Sequence, residues 1–206
     1  MRTHRYVNPP LAAATAAVLV TLVVGSISLG GVGSRVDEVR KGSYAATLAT
    51  ATARIAAFDA KSNESLTLIA RGSGSAFEKA WKASSGVVTA QSAISDRLND
   101  ADARLGSLWT GYTRTHTLIR TSDDGGEWEK AVSQAIGSGA NSANATFDAF
   151  DSTSAVALTS SSSTAAESLD GPRTWLPFAA WLSLLVGIAA AVSAWWGVSL
   201  RLEEYR

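Results

Sequence analysis

The stretches LAAATAAVLVTLVVGSISL, Leu11 to Leu29, and WLPFAAWLSLLVGIAAAVSAWWGVSL, Trp175 to Leu200, decide how this chain is read. Neither carries a charged side chain. At ~1.5 Å of rise per residue, each is about long enough to cross a hydrocarbon layer ~30 Å thick. A soluble domain has no reason to place two such segments at its extreme ends. The expected organisation is a cytoplasmic N-terminus (1–10), a first span (11–31), a water-facing region (32–173), a second span (174–200) and a cytoplasmic tail (201–206).

The flanks set an orientation. Arg2, His4 and Arg5 precede the first span, and Arg201 and Arg206 follow the second. The positive-inside bias counts Lys and Arg near span ends and largely ignores the acids Glu203 and Glu204. Both termini are therefore expected in the cytoplasm of a multi-pass plasma-membrane protein, even though Arg35, Arg40, Lys41 and Arg173 stand on the outer side. Trp175, Phe178 and Trp181 mark one interface of the second span, and Trp195, Trp196 and Tyr205 the other, because amphipathic rings prefer the headgroup level. A competing reading makes the first segment a cleaved signal peptide, with Gly31-Val-Gly33 as the small-residue site. The apolar run is long for that, and no Ala-x-Ala closes it.

The bulk numbers exclude several classes. Lys plus Arg and Asp plus Glu both total 18, so no basic excess points to nucleic acid. Cysteine is absent and only His4 and His116 are present, which excludes disulfides, thiolate metal sites and multi-histidine metal sites. No metal or other cofactor is expected.

Alanine, serine, threonine and leucine dominate residues 34–170, and proline is absent from Leu11 to Pro172. Such a run favours helix. Leu98, Ala101, Leu105, Leu108, Tyr112, Thr115 and Ile119 recur at steps of three and four, the spacing of a bundle seam. A weaker seam is Ile55, Phe58, Ser62, Ser65 or Leu66, and Ile69. A third is Phe147, Phe150, Ser154 and Ala157. Turns are expected at Arg71–Ser75 and Asp123–Gly126. A chain that leaves and re-enters one membrane face needs an even number of up-and-down helices. A further reversal is therefore expected at Asn99–Asp102 or at Gly137–Gly139. The fold class is all-α: two transmembrane helices flanking an extracytoplasmic up-and-down four-helix bundle. In the second span, Ala179, Ser183, Gly187 and Ala191 form a small-xxx-small stripe suited to packing against the first span, a second copy or a partner's helix.

Catalytic constellations are missing, so an enzyme is not expected. His116 is the sole base available to a serine nucleophile outside the membrane, which leaves an envelope hydrolase as a weak reading. On a helix, Trp109, Tyr112, His116 and Arg120 share one broad face. This is either a packed aromatic stripe or a site for a small anion or amino acid using His116, Arg120 and Arg114. Glu64 and Arg71 flank Leu66–Ala70 and either pair across helices or help hold a ligand. Asp123 and Asp124 read as turn chemistry before Gly-Gly.

Three stretches carry a resemblance. Lys61-Ser-Asn-Glu-Ser-Leu-Thr-Leu-Ile-Ala-Arg-Gly-Ser-Gly74, the Trp109-x2-Tyr112-x3-His116-x2-Ile-Arg120 segment with its Asp-Asp-Gly-Gly turn, and Gly197-Val-Ser-Leu-Arg-Leu-Glu-Glu-Tyr-Arg206 resemble GlnX-like integral membrane components of high-GC Gram-positive bacteria. The resemblance covers roughly 59–206, with a shorter extracytoplasmic region here. It implies a component that passes amino-acid availability from an extracytoplasmic substrate-binding lipoprotein to a cytoplasmic Ser/Thr kinase. The layout is also similar to the four-helix sensor domain of chemoreceptors, at fold level only. The expected function is a non-enzymatic sensor or signal-relay subunit, working as a homodimer or hetero-complex among membrane lipid. The alternative is a scaffolding or assembly protein of the cell envelope with no ligand response.

Overall fold

A computed structural model describes residues 9–99, 104–170 and 176–203. Among these, every regular element is helical: α1 (Pro9–Lys41), α2 (Ser43–Ile69), α3 (Ser75–Leu98), α4 (Leu105–Asp124), α5 (Trp128–Ile136), α6 (Ala143–Asp170) and α7 (Leu176–Glu203). The chain divides into two compact units, residues 1–38 with 167–206, and residues 39–166.

The first unit holds two helical segments long and apolar enough to cross a membrane. Their large side chains face outward: Ile27, Leu29, Trp181 and Trp195 are all well exposed. This is the inverse of a soluble core helix and suits hydrocarbon as the surrounding solvent. Six of their hydroxyls bond within their own helix. Thr15, Thr21 and Ser26 donate to the carbonyls of Leu11, Ala17 and Leu22, and Ser183, Ser193 and Ser199 to those of Ala179, Ala189 and Trp195. In lipid an unpaired polar group costs several kcal/mol, and this i−4 back-bonding is the arrangement that would let serine and threonine sit in such a span. The small stripe of α7 is not packed within the chain. Ser183, Gly187 and Ala191 are exposed, and a Cβ on Gly187 would meet nothing within 4 Å. The buried positions of α7 are Ala190 and Gly197.

The second unit contains α2 to α5 and most of α6. Its core gathers Leu68, Trp81, Val88, Leu105, Trp109, Tyr112, Ile119, Phe147 and Phe150 around the alanines of α2. The aromatic rings meet mostly edge to face: Trp109–Phe150 at 5.3 Å, Tyr112–Phe147 at 5.6 Å and Phe58–Phe147 at 5.1 Å between centroids. Such pairs add ~0.5–1.5 kcal/mol each beyond burial.

Three seams were expected, and they fare differently. The third is buried throughout, at Phe147, Phe150, Ser154 and Ala157. The first is divided: Leu98 ends α3, Ala101 lies outside the described residues, and Leu105, Tyr112, Thr115 and Ile119 are buried on α4 with Leu108 packed at the core's edge. The second is overturned. Ile55 and Ile69 are each 73% exposed, and α2 instead buries Ala46, Ala49, Thr50, Ala53, Ala57, Ala60 and Glu64. The reason is steric: helices approach closely only where side chains are small. Thr50 Oγ1 reaches Ser95 Oγ on α3 at 2.7 Å across this narrow contact.

Both candidate reversals separate helices. Asp100–Asp102 lie outside the described residues, but α3 ends before them and α4 begins after them. Gly137–Gly139 falls between α5 and α6. At the α2–α3 turn, Arg71 and Gly72 take positive φ (40° and 83°). Gly74 then passes so close to α2 that a Cβ would lie 2.8 Å from Thr67 Cγ2 and from its carbonyl oxygen.

The start of α4 is capped by a side chain from another helix. Asp96 Oδ1 accepts the amide N–H of Leu105 at 2.8 Å and Oδ2 that of Gly106 at 2.9 Å. The negative carboxylate also complements the helix dipole. Replacing Asp96 by Ala is expected to destabilise the second unit by about 1 kcal/mol, the worth of a lost cap. Hydrogen exchange of the full chain in detergent would show it as faster exchange in the first turn of α4.

Candidate functional site

Three helices place charged side chains in one line. Lys61 and Glu64 come from α2, Glu78 from the first turn of α3, and His116, Arg120, Asp123 and Asp124 from α4. The α4 residues share a face because 116, 120 and 123/124 follow the helical repeat.

The line alternates basic and acidic side chains. Lys61 Nζ donates to Glu64 Oε1 at 3.0 Å, and Glu64 Oε2 lies 2.8 Å from His116 Nδ1. His116 Nε2 lies 3.2 Å from Glu78 Oε2. Arg120 Nε approaches the same Glu78 oxygen at 3.6 Å, and its Nη1 reaches Asp123 Oδ2 at 2.6 Å. Arg120 Nη2 pairs with Asp124. The inner end is dry, with side-chain exposures of 1% at Glu64 and 3% at His116. The outer end is wet: Asp124 is 68% exposed. The imidazole lies flat against Trp81, with centroids 3.5 Å apart and planes 8° from parallel.

Glu64 is the electrostatic centre. Burial penalises its charge, but the hydrogen bond with His116 and the charge of Lys61 outweigh that penalty, and its pKa falls below the ordinary 4.5. Tyr112 moves the other way. Burial, and then the neighbouring Glu64 charge, push its phenol far above the usual value of 10.0. The Tyr112 hydroxyl and Trp81 Nε1 are buried without a hydrogen-bond partner among the described residues.

A cleft of about 420 Å³ opens over the outer end of this line. Thr67, Gly74, Glu78, Lys79, Lys82, Arg120, Asp123 and Asp124 are among the residues that line it. The cleft therefore presents three cations and three carboxylates, of which Arg120 and Lys82 already pair with Glu78, Asp123 and Asp124.

Of the sequence candidates, His116, Arg120 and Glu64 are brought together. Arg71 is not: it sits in the α2–α3 turn with its guanidinium 3.8 Å over the Trp128 ring, a cation–π contact. Arg114 is exposed on another side of α4. Asp123 and Asp124, read as turn residues, are ligands of Arg120. Glu78 and Trp81 were missed. A signal existed: Trp81, Ser85, Val88, Ser92 and Ser95 are the buried face of α3 at steps of four and three, but three serines obscure the pattern.

No family model, curated protein or solved structure matches the chain. Function must be read from the site itself.

Two outcomes are expected. His116→Ala strips Glu64 of its nearest donor and opens a gap under Trp81, so the second unit should lose about 3–5 kcal/mol, the cost of breaking a buried pair. Thermal unfolding of the full chain in detergent would report it. The pH dependence follows from the depressed carboxyl. The stabilisation from Glu64 is complete above its unfolded pKa and is lost as pH falls through the lower folded value. Melting temperature should fall more steeply between pH 5 and 3, taken as rough bounds, in the wild type than in Glu64→Gln.

Proposed function

We propose that this chain is a non-enzymatic, two-pass plasma-membrane protein that senses a small extracytoplasmic solute and relays its binding to a separate partner. The carrying observation is the line of alternating basic and acidic side chains that begins in an open cleft and ends in the dry core on three helices. Buried ion pairs are weak sources of stability, because desolvation offsets most of the attraction. A binding role accounts for that arrangement better than a structural one. Catalysis is disfavoured by the same contacts: both His116 nitrogens face carboxylates, so a base role would require breaking one of them.

In this reading α2, α3, α4 and α6 are the four long members of an up-and-down bundle, and α5 is a short connecting helix. The unit stands outside, and both termini are cytoplasmic. The ligand class is a zwitterion such as an amino acid, with its carboxylate on Lys79 or Arg120 and its ammonium on Asp123 or Asp124. The GlnX-like resemblance makes a substrate-binding lipoprotein outside and a Ser/Thr kinase inside the natural partners. Displacement of α4 against α3 would be the first event, since the ligand competes for the Arg120 contacts.

The test is a thermal-shift screen of the full chain in detergent against the amino acids and small dicarboxylates. One class should raise the melting temperature in proportion to the logarithm of its concentration. The exposed Lys79→Gln variant should keep the basal melting temperature and weaken that response. A flat response across the whole panel would sink the sensing reading and leave the scaffolding one.

A further inference from the structure

A second cleft, of about 570 Å³, lies in the same unit between α4, α5 and the α5–α6 connection. It opens on another side of α4 from the first. At 3.6 residues per turn, Thr115 and Leu118 point roughly 140° away from the line of His116, Arg120 and Asp123. Its chemistry differs as well. No charged side chain is among the described residues that line it. The side chains of Ser133, Ser138 and Asn141 have no hydrogen-bond partner among the described residues. Thr115 Oγ1 donates to the Gly111 carbonyl, and Gln134 Oε1 accepts from Ser122, only at 3.4 Å, longer than the ~2.7–3.2 Å of an ordinary bond. Leu118, 56% exposed, adds an apolar patch.

The wall that carries Ser138 and Asn141 is tied down. The Ser142 amide donates to the Gly139 carbonyl at 2.8 Å, and Asn144 Nδ2 donates to the Ile136 carbonyl at 3.1 Å across the connection. Gly137 packs so tightly on the last turn of α5 that a Cβ would lie 2.5 Å from the Ser133 carbonyl oxygen. Polar groups presented by a fixed wall lose little freedom when a ligand arrives.

We propose that this cleft binds a neutral, hydroxyl-rich molecule of monosaccharide size. A charged solute would give up its hydration here without a counter-charge. An apolar one would cover amides and hydroxyls and leave them unpaired. A sugar hydroxyl both donates and accepts, as the amides of Gln134 and Asn141 and the hydroxyl of Ser133 require, and the C–H face of the ring suits Leu118. The volume falls in the range of small-molecule sites, ~300–1,000 Å³. This site stands apart from the zwitterion cleft and does not depend on it.

The test is saturation-transfer NMR on the full chain in a detergent without a sugar headgroup. The probes are glucose, galactose, mannose and N-acetylglucosamine, with glucuronate and glucosamine as charged counterparts. At least one neutral sugar should give a saturable signal, and its charged counterparts should bind at least about tenfold more weakly. Asn141→Ala should weaken binding about tenfold, the worth of a lost hydrogen bond or two. Ser133→Trp should abolish it by filling the cleft. Both positions are exposed, so helicity and melting temperature should be unchanged. Lys79→Gln, in the other cleft, should leave sugar binding as it was. The proposal is overturned by the absence of a saturable signal from all four neutral sugars, by equal binding of the charged counterparts, or by binding that survives both Asn141→Ala and Ser133→Trp.

Discussion

Glu64 carries its charge in a place that water does not reach, and much of the second unit is arranged around that fact. An isolated buried carboxylate would neutralise or force the structure open. Here Lys61 holds one oxygen and His116 the other. His116 is in turn fixed by the flat contact with Trp81 and by Glu78. That requirement draws α2, α3 and α4 to a common point and fixes their register to within a side chain. It also charges the neighbourhood of the Tyr112 phenol, which stays protonated.

The rest of the packing is made with small parts. The α2 face toward α3 is mostly alanine, and hydroxyls of Thr50, Ser85 and Ser95 bridge helices at short range. Ser85, for instance, accepts the Trp109 indole N–H at 3.1 Å. Alanine buries little area per residue, at ~25 cal/mol per Å². The large rings of α4 and α6 therefore supply most of the apolar stabilisation, and polar contacts supply the register. Arg54 ties α2 to α6 by an ion pair with Asp151 at 2.7 Å and a hydrogen bond to Ser154 at 2.6 Å.

The long apolar runs and the proline-free middle were legible in the sequence because length and composition act over many residues. The α4 face and the Phe147–Ala157 seam were legible because large side chains recur there. The α2 seam was misread for the opposite reason. Period-3.6 apolarity marks a face that wants covering but not which neighbour covers it, and alanine gives no contrast. Glu78 is missed in any local reading, because its partner lies 38 residues away. Asp96 as a cap is missed too, since capping rules look to the residue just before a helix, and here the accepting carboxylate sits on α3. His116, Arg120 and Glu64 could be singled out as types. Only the fold puts the first between two carboxylates and the second at the mouth of a cleft.

The six back-bonded hydroxyls of α1 and α7 have a further consequence. Each has already given its proton to its own helix, so a neighbour meets acceptors there but no free hydroxyl donor. In a bilayer, association through these six positions would lean on contour and lipid displacement more than on hydrogen bonds. Directional recognition would in that setting fall to the second unit.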